Sequence, residues 1–177
     1  TWEKTSSMGW MFVPLTEYQG GGAAATIEPL DEHLDHYERM LVSNLALGVQ
    51  ACYRGPRLYD TEGTRAMVQR WVGWFKAHRD ILESDLVHGR RADARDLDWM
   101  LHVNPRLKEK GMLVVFNPLN QPLKQTLRVN LYYTGLARQA RVRDSGGTAR
   151  TFTLNRDYTI ELPVRVDPQD MSWWVIE

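Results

Sequence analysis

Trp71-Val72-Gly73-Trp74-Phe75-Lys76-Ala77-His78-Arg79-Asp80-Ile81-Leu82-Glu83-Ser84-Asp85-Leu86-Val87-His88-Gly89-Arg90 is the stretch in which the chain changes its period. Before Ser84, apolar residues return every three or four positions: Met67, Val68, Trp71, Val72, Phe75, Ile81 and Leu82 make one wide stripe. That spacing predicts a helix from about Thr61 to Ser84, with Asp60 or Thr61 free to cap it. After Ser84 no long helical stripe returns. The chain becomes a series of short β-rich runs separated by turn residues.

Upstream of this stretch the pattern is strand, loop, helix, repeated. Leu34, Tyr37, Leu41, Leu45 and Gly48 form a second helical stripe. Pro29, Asp31 and Glu32 sit at its start, where a helix accepts proline and favours acids. Trp10–Val13 and Gly48–Tyr53 are short apolar runs that read as buried strands, the first closed by Pro14 and the second by Arg54-Gly55-Pro56. Together they make two consecutive β-α units.

Downstream, strands are predicted near Leu86–Arg90, Asp98–Val103, Met112–Asn117, Lys124–Leu131, Gln139–Arg143, Ala149–Leu154, Tyr158–Val166 and Ser172–Ile176. Asn104-Pro105, Lys110-Gly111, Asn117-Pro118, Ser145-Gly146-Gly147 and Asp167-Pro168 punctuate them. Alternation in Thr126–Leu131 and Tyr158–Leu162 suits a sheet with one wet face. The fold class expected is therefore α/β followed by all-β. The expected division is residues 1–84 and residues 85–177, the second an antiparallel β-sandwich.

Composition agrees with folded protein and narrows the partners. The 177 residues carry 22 basic and 22 acidic side chains, with 43% hydrophobic and 25% charged residues. Residues 1–84 hold 8 basic and 11 acidic side chains, and residues 85–177 hold 14 and 11. Overall neutrality argues against nucleic acid or an anionic membrane surface as the main partner. No apolar run reaches the roughly 18 residues of a membrane-spanning helix.

Two β-α units do not close a barrel, and apolar parallel strands need neighbours on both sides. The expectation is that earlier units precede Thr1. Trp74–Leu82, the run Gly111-Met112-Leu113-Val114-Val115-Phe116-Asn117-Pro118, and Asn130–Leu136 as the strand that follows resemble the end of a glycoside hydrolase. The family meant is the α-galactosidase-like one, with a catalytic (β/α)8 barrel and a C-terminal β-domain. The resemblance implies the last two β-α units of such a barrel, incomplete, plus a β-sandwich. It implies a carbohydrate substrate and hydrolysis by two carboxylates lying upstream of Thr1. No catalytic residue is then expected in this chain, which would be inactive alone.

Loops at the carboxyl ends of barrel strands form the active-site face. On that rule Glu17 and Tyr18 after the first strand, and Tyr53, Arg54 and Arg57 after the second, are the candidate substrate-binding residues. Tyrosine can stack on a pyranose face, and Arg54 or Glu17 can hydrogen-bond hydroxyls. The plainer alternative has Arg54 paired with a structural carboxylate and Tyr53 filling the barrel top.

Other constellations carry less. Gly20-Gly21-Gly22-Ala23-Ala24-Ala25 fits G-x-G-x-x-A, but it stands four residues after the strand and Pro29 interrupts the helix it would open. His33 and His36 share a helix face without H-E-x-x-H, so a solvated face is expected and neither metal nor cofactor is implied. Cys52 reads as a small buried hydrophobe. Arg90, Arg91 and Arg95 are interleaved with Asp93, Asp96 and Asp98, as in a solvated loop. Trp173 and Trp174 must point to opposite faces of the closing strand. A second reading, a non-catalytic carbohydrate-binding or structural β-module, uses the same residues.

Overall fold

The computed structural model describes residues 11–14, 28–48, 51–54, 57–90 and 92–177. They divide into two compact units, one ending at Leu82 and one comprising Glu83–Glu177.

The first unit contains β1 (Met11–Pro14), α1 (Leu34–Leu45), β2 (Ala51–Arg54), α2 (Glu62–Ala77) and a single turn, α3 (Arg79–Leu82). β1 and β2 run parallel, with Met11 opposite Ala51 and Pro14 opposite Arg54. A parallel pair needs a long crossover, and α1 lies within it. Of the stripe expected for α1, Tyr37, Leu41 and Leu45 are buried and Leu34 and Gly48 half-buried; Val42 and Asn44, outside that stripe, are buried as well, while Asp35 and His36 are exposed. Glu38 on that helix accepts the Trp71 indole N–H at 2.7 Å and pairs with Arg70, which ties α1 to α2.

Thr61 caps α2. Its hydroxyl accepts the Thr64 N–H at 3.3 Å, while Thr64 Oγ1 accepts the Thr61 N–H at 3.0 Å. This is a capping box with threonine in the place usually held by glutamate or glutamine. The long helix expected to reach Ser84 instead breaks at His78, whose φ of −116° and ψ of 15° are not helical. Its N–H is shared between the carbonyls of Trp74 and Phe75, closing the last turn. After the break both Ile81 and Leu82 are buried. Among the described residues no helix is long and apolar enough to cross a membrane.

The second unit holds β3 (Asp85–His88), β4 (Asp98–Val103), β5 (Gly111–Phe116), β6 (Leu123–Asn130), β7 (Gln139–Asp144), β8 (Ala149–Thr153), β9 (Thr159–Val166) and β10 (Met171–Ile176). Six strands form an antiparallel sheet in the order β3-β4-β5-β10-β7-β8, and β6 pairs antiparallel with β9 in a separate ribbon. The two sheets share one core. Leu127, Val129, Ile160, Leu162 and Val164 of the ribbon join Leu101, Leu113, Val115, Val142, Trp174 and Ile176 of the large sheet. The period of two explains the choice, since alternate residues of β6 are exposed. All six residues of β5 are buried, as its unbroken apolar run requires.

Two expectations for this unit change. Asn130–Leu136 does not continue as strand: Tyr132–Thr134 is a 3-10 turn, with Tyr132 and Tyr133 exposed. Asn130 Oδ1 accepts the Tyr132 N–H at 2.9 Å and the buried Thr134 hydroxyl donates to the Leu131 carbonyl at 2.6 Å. Gly135 then closes the turn at a φ of 74°. Tyr158 is not the first residue of β9 but lies in the turn before it, at a φ of 62°.

Asn117, at the end of β5, is fully buried. Its side-chain N–H2 lies within hydrogen-bonding reach of the carbonyls of Gln121 (2.8 Å), Asp167 (3.0 Å) and Val166 (3.2 Å). Its Oδ1 accepts the Leu119 N–H at 3.0 Å. One amide thus holds the exit of β5 to the entry of β6 and the exit of β9. The Asn-Pro punctuation of the sequence is a structural latch.

Candidate functional site at the carboxyl end of the parallel pair

Both parallel strands deliver the chain to the same end, and the segments before α1 and α2 meet there. The Asp31 N–H donates to Asp60 Oδ2 at 3.2 Å, and the Thr61 hydroxyl donates to Asp31 Oδ1 at 2.8 Å. Thr64, buried at the start of α2, places its hydroxyl 3.0 Å from Asp60 Oδ1, and Tyr37 of α1 donates its hydroxyl proton to the Leu58 carbonyl at 2.9 Å. Acids before a helix face its positive end, so the local sequence logic and the cross-links agree.

Arg57 stands at the edge of this cluster. Its guanidinium meets Glu28 twice, Nη2 to Oε2 at 2.9 Å and Nε to Oε1 at 3.4 Å. The hydrogen bond that Arg57 donates to Glu28, and then the charge of Glu28, raise the Arg57 pKa above its ordinary value. The Arg57 side chain is 52% exposed against 18% for Glu28, so part of the fork faces solvent. Asp60 is held below the usual carboxylate range. Burial pushes it up, but the hydrogen bonds from the Asp31 N–H and the Thr64 hydroxyl outweigh that. Leu58 and Tyr59 are exposed beside the charges, and the Arg65 guanidinium lies 5.8 Å from the centre of the Tyr59 ring.

The arrangement offers a fixed cation, fixed carboxylates and an exposed aromatic ring on one rim. Those are the groups that hold hydroxyls and ring faces of a polar ligand. Of the sequence-derived candidates, Arg57 is here, engaged with Glu28. Tyr53 and Arg54 are the last two residues of β2 and not loop residues, because the ladder with β1 continues to Pro14 and Arg54. Glu17 and Tyr18 lie outside the described residues, as do Gly20–Gly22 and Arg91. Sequence reasoning missed the linkage of Glu28, Asp31 and Asp60. The available signal was the pair of acids flanking Pro29 together with the acid before the second helix.

No protein-family model and no curated protein matches the chain. Solved structures do. An α-amylase from Geobacillus thermoleovorans, in complex with acarbose, matches 96% of this chain and 38% of its own at 8% identity, with a TM-score of 0.59. A Bacteroides fragilis protein assigned as an α-galactosidase/melibiase matches 98% of this chain and 35% of its own at 13% identity, TM-score 0.53. A β-L-arabinopyranosidase from Geobacillus stearothermophilus matches 95% and 37% at 12% identity, TM-score 0.51. The chain has a glycoside-hydrolase-like fold. It spans between a third and two fifths of the length of these three proteins. At such identities the likeness is one of backbone arrangement, and the chemistry has to be argued from this chain's own residues.

Proposed function

We propose that this chain is the C-terminal portion of a glycoside hydrolase whose catalytic domain is a (β/α)8 barrel. Residues 1–84 are its last two β-α units, and residues 85–177 form a β-sandwich that follows the barrel. The observation that carries the reading is the parallel β1–β2 pair whose following segments are cross-linked at one end, followed by an all-antiparallel unit. The fold likeness to glycoside hydrolases over most of the chain supports it.

On this reading the described strands supply only part of a closed barrel. The acid and the nucleophile or base that cleave the glycosidic bond stand on earlier strands. Glu17, Tyr18, Tyr53, Arg54 and Arg57 then rim the sugar pocket. Arg57, oriented by Glu28, donates to sugar hydroxyls while remaining charged at every working pH. A carbohydrate is the partner, and no cofactor is needed.

The test is hydrolysis of p-nitrophenyl α- and β-glycosides by the 177-residue chain and by the same chain carrying the residues encoded before Thr1. The longer protein is expected to turn over and the 177-residue chain is not. Arg57→Ala in the longer protein should raise KM about tenfold with little change in kcat, as for loss of a binding hydrogen bond. Turnover by the 177-residue chain, or its absence in the longer one, overturns the proposal.

A further inference from the structure

Six strands cannot be covered by two. The β6–β9 ribbon closes the core over the middle of the large sheet, and β9 is paired on one side only, with β6. Between its free edge and the β7–β8 hairpin at the margin of the large sheet a cleft of about 250 Å³ remains. Pro163 lies on that edge, where its missing N–H leaves no donor to waste and discourages a further strand. The hairpin wall is fixed by its turn. Gly147 adopts a φ of 86°, its N–H donates to the Asp144 carbonyl at 2.9 Å, and Asp144 Oδ1 accepts the Thr148 N–H at 2.8 Å.

Trp174 lines this cleft. It is only 8% exposed, but its indole N–H, which meets no acceptor among the described residues, is not sealed from solvent. That proton is therefore open to water or to a ligand in the cleft. Around it stand Phe152, Ser172, Asp144, Arg150 and Arg165. Arg150 makes no ion pair among the described residues, and Arg165 reaches Asp167 only at 3.4 Å with both side chains largely in solvent. The lining therefore combines two aromatic rings, an indole N–H, the hydroxyls of Ser145, Thr148 and Ser172, and two guanidinium groups, of which Arg165 has a solvent-exposed ion-pair partner in Asp167. Its single carboxylate already holds a backbone N–H.

We propose that this cleft binds a small saccharide bearing a carboxylate, with the sugar ring against Phe152 and Trp174 and the carboxylate on Arg150 and Arg165. Rings with apolar faces and hydroxyl edges match the mixed lining. Planar guanidinium groups match a carboxylate two oxygens at a time. The volume, about 250 Å³, lies below the range of drug-sized pockets and suits one sugar unit. The site is independent of the barrel-end reading, since it belongs wholly to residues 83–177 and asks only for binding.

The experiment uses the full 177-residue chain labelled with nitrogen-15. Its seven tryptophans should give seven indole N–H signals, and Trp174→Phe identifies the one that matters. Titration with methyl β-D-glucuronide and with galacturonate is expected to shift that signal with half-saturation in the range of about 1–10 mM. Methyl β-D-glucoside should bind at least about fivefold more weakly, and Arg150→Ala should weaken uronate binding to a similar degree without changing Tm. Tyr133→Ala, in the turn that follows β6, should change nothing. The proposal is overturned if the Trp174 signal stays still, if the glucoside matches the uronates, or if acetate alone reproduces the shift.

Discussion

Asn117 shows how much one side chain can carry. Its amide is fully buried and its four contacts are all to backbone, three of them from other turns or strands. Cutting it back to alanine leaves carbonyls of Gln121, Val166 and Asp167 and the N–H of Leu119 without that partner. An unsatisfied buried polar group costs about 1–3 kcal/mol. Water reaching part of the site recovers some of this, so Asn117→Ala should lower stability by about 2–4 kcal/mol. Urea unfolding followed by the fluorescence of Trp99 and Trp174, with the other tryptophans replaced, would measure it. A loss under about 0.5 kcal/mol would show the latch to be ornamental.

At the scale of elements, the start of α2 is held by chemistry that titrates. Asp60 accepts the Asp31 N–H and the Thr64 hydroxyl proton, and the folded carboxyl lies below its ordinary value. Its contribution is therefore fully present above the unfolded aspartate pKa of about 3.9 and is lost as pH falls through the lowered folded value. Protection of the Asp31 amide against hydrogen exchange should fall in that acid window and not near neutrality. Thr64→Val should move the Asp60 carboxyl titration, read by carbon-13 NMR, upward. An Asp60 titration at the ordinary value in both proteins would refute the account. Elements of this kind were largely legible beforehand. The stripes of α1 and α2, the cap at Thr61 and all eight later strands follow from period and punctuation, because burial of one face is written into spacing. The break at His78 was not legible, since Ile81 and Leu82 continue an acceptable helical stripe and only packing separates them. Nor was the turn at Tyr132–Thr134, whose aromatics favour strand while Asn130 and Thr134 bond locally. The site was less legible still. Arg57 could be named from strand-end logic, but its partner Glu28 lies 29 positions earlier, and no local pattern announces that meeting. The cleft beside Trp174 depends on which strands lack cover, a property of topology and not of any segment.

At the scale of the molecule, the two units differ in what each can sustain alone. The core shared by the two sheets draws every member from Leu97 to Ile176, while Met100, Met112, Val114, Phe116, Met171 and Val175, which alternate with it along β4, β5 and β10, are buried outside that core. Its strand order closes around two sheets, and Asn117 locks them inside the same unit. Residues 83–177 produced alone should therefore unfold in one cooperative urea transition with well-dispersed amide signals. Among the described residues the first unit has a two-stranded parallel sheet and two main helices. Parallel strands are stable when both faces are covered, and a two-stranded sheet has only edges. Residues 1–82 alone should keep some helix by circular dichroism, bind a hydrophobic dye and give broad, poorly dispersed signals. On the proposed barrel reading, a longer chain carrying further barrel strands should then sharpen the α1 and α2 signals, because those strands would supply neighbours for β1 and β2. A sharp two-state transition from residues 1–82 alone would mean that two β-α units are a complete fold here, and the reading of them as part of a barrel would fail with it.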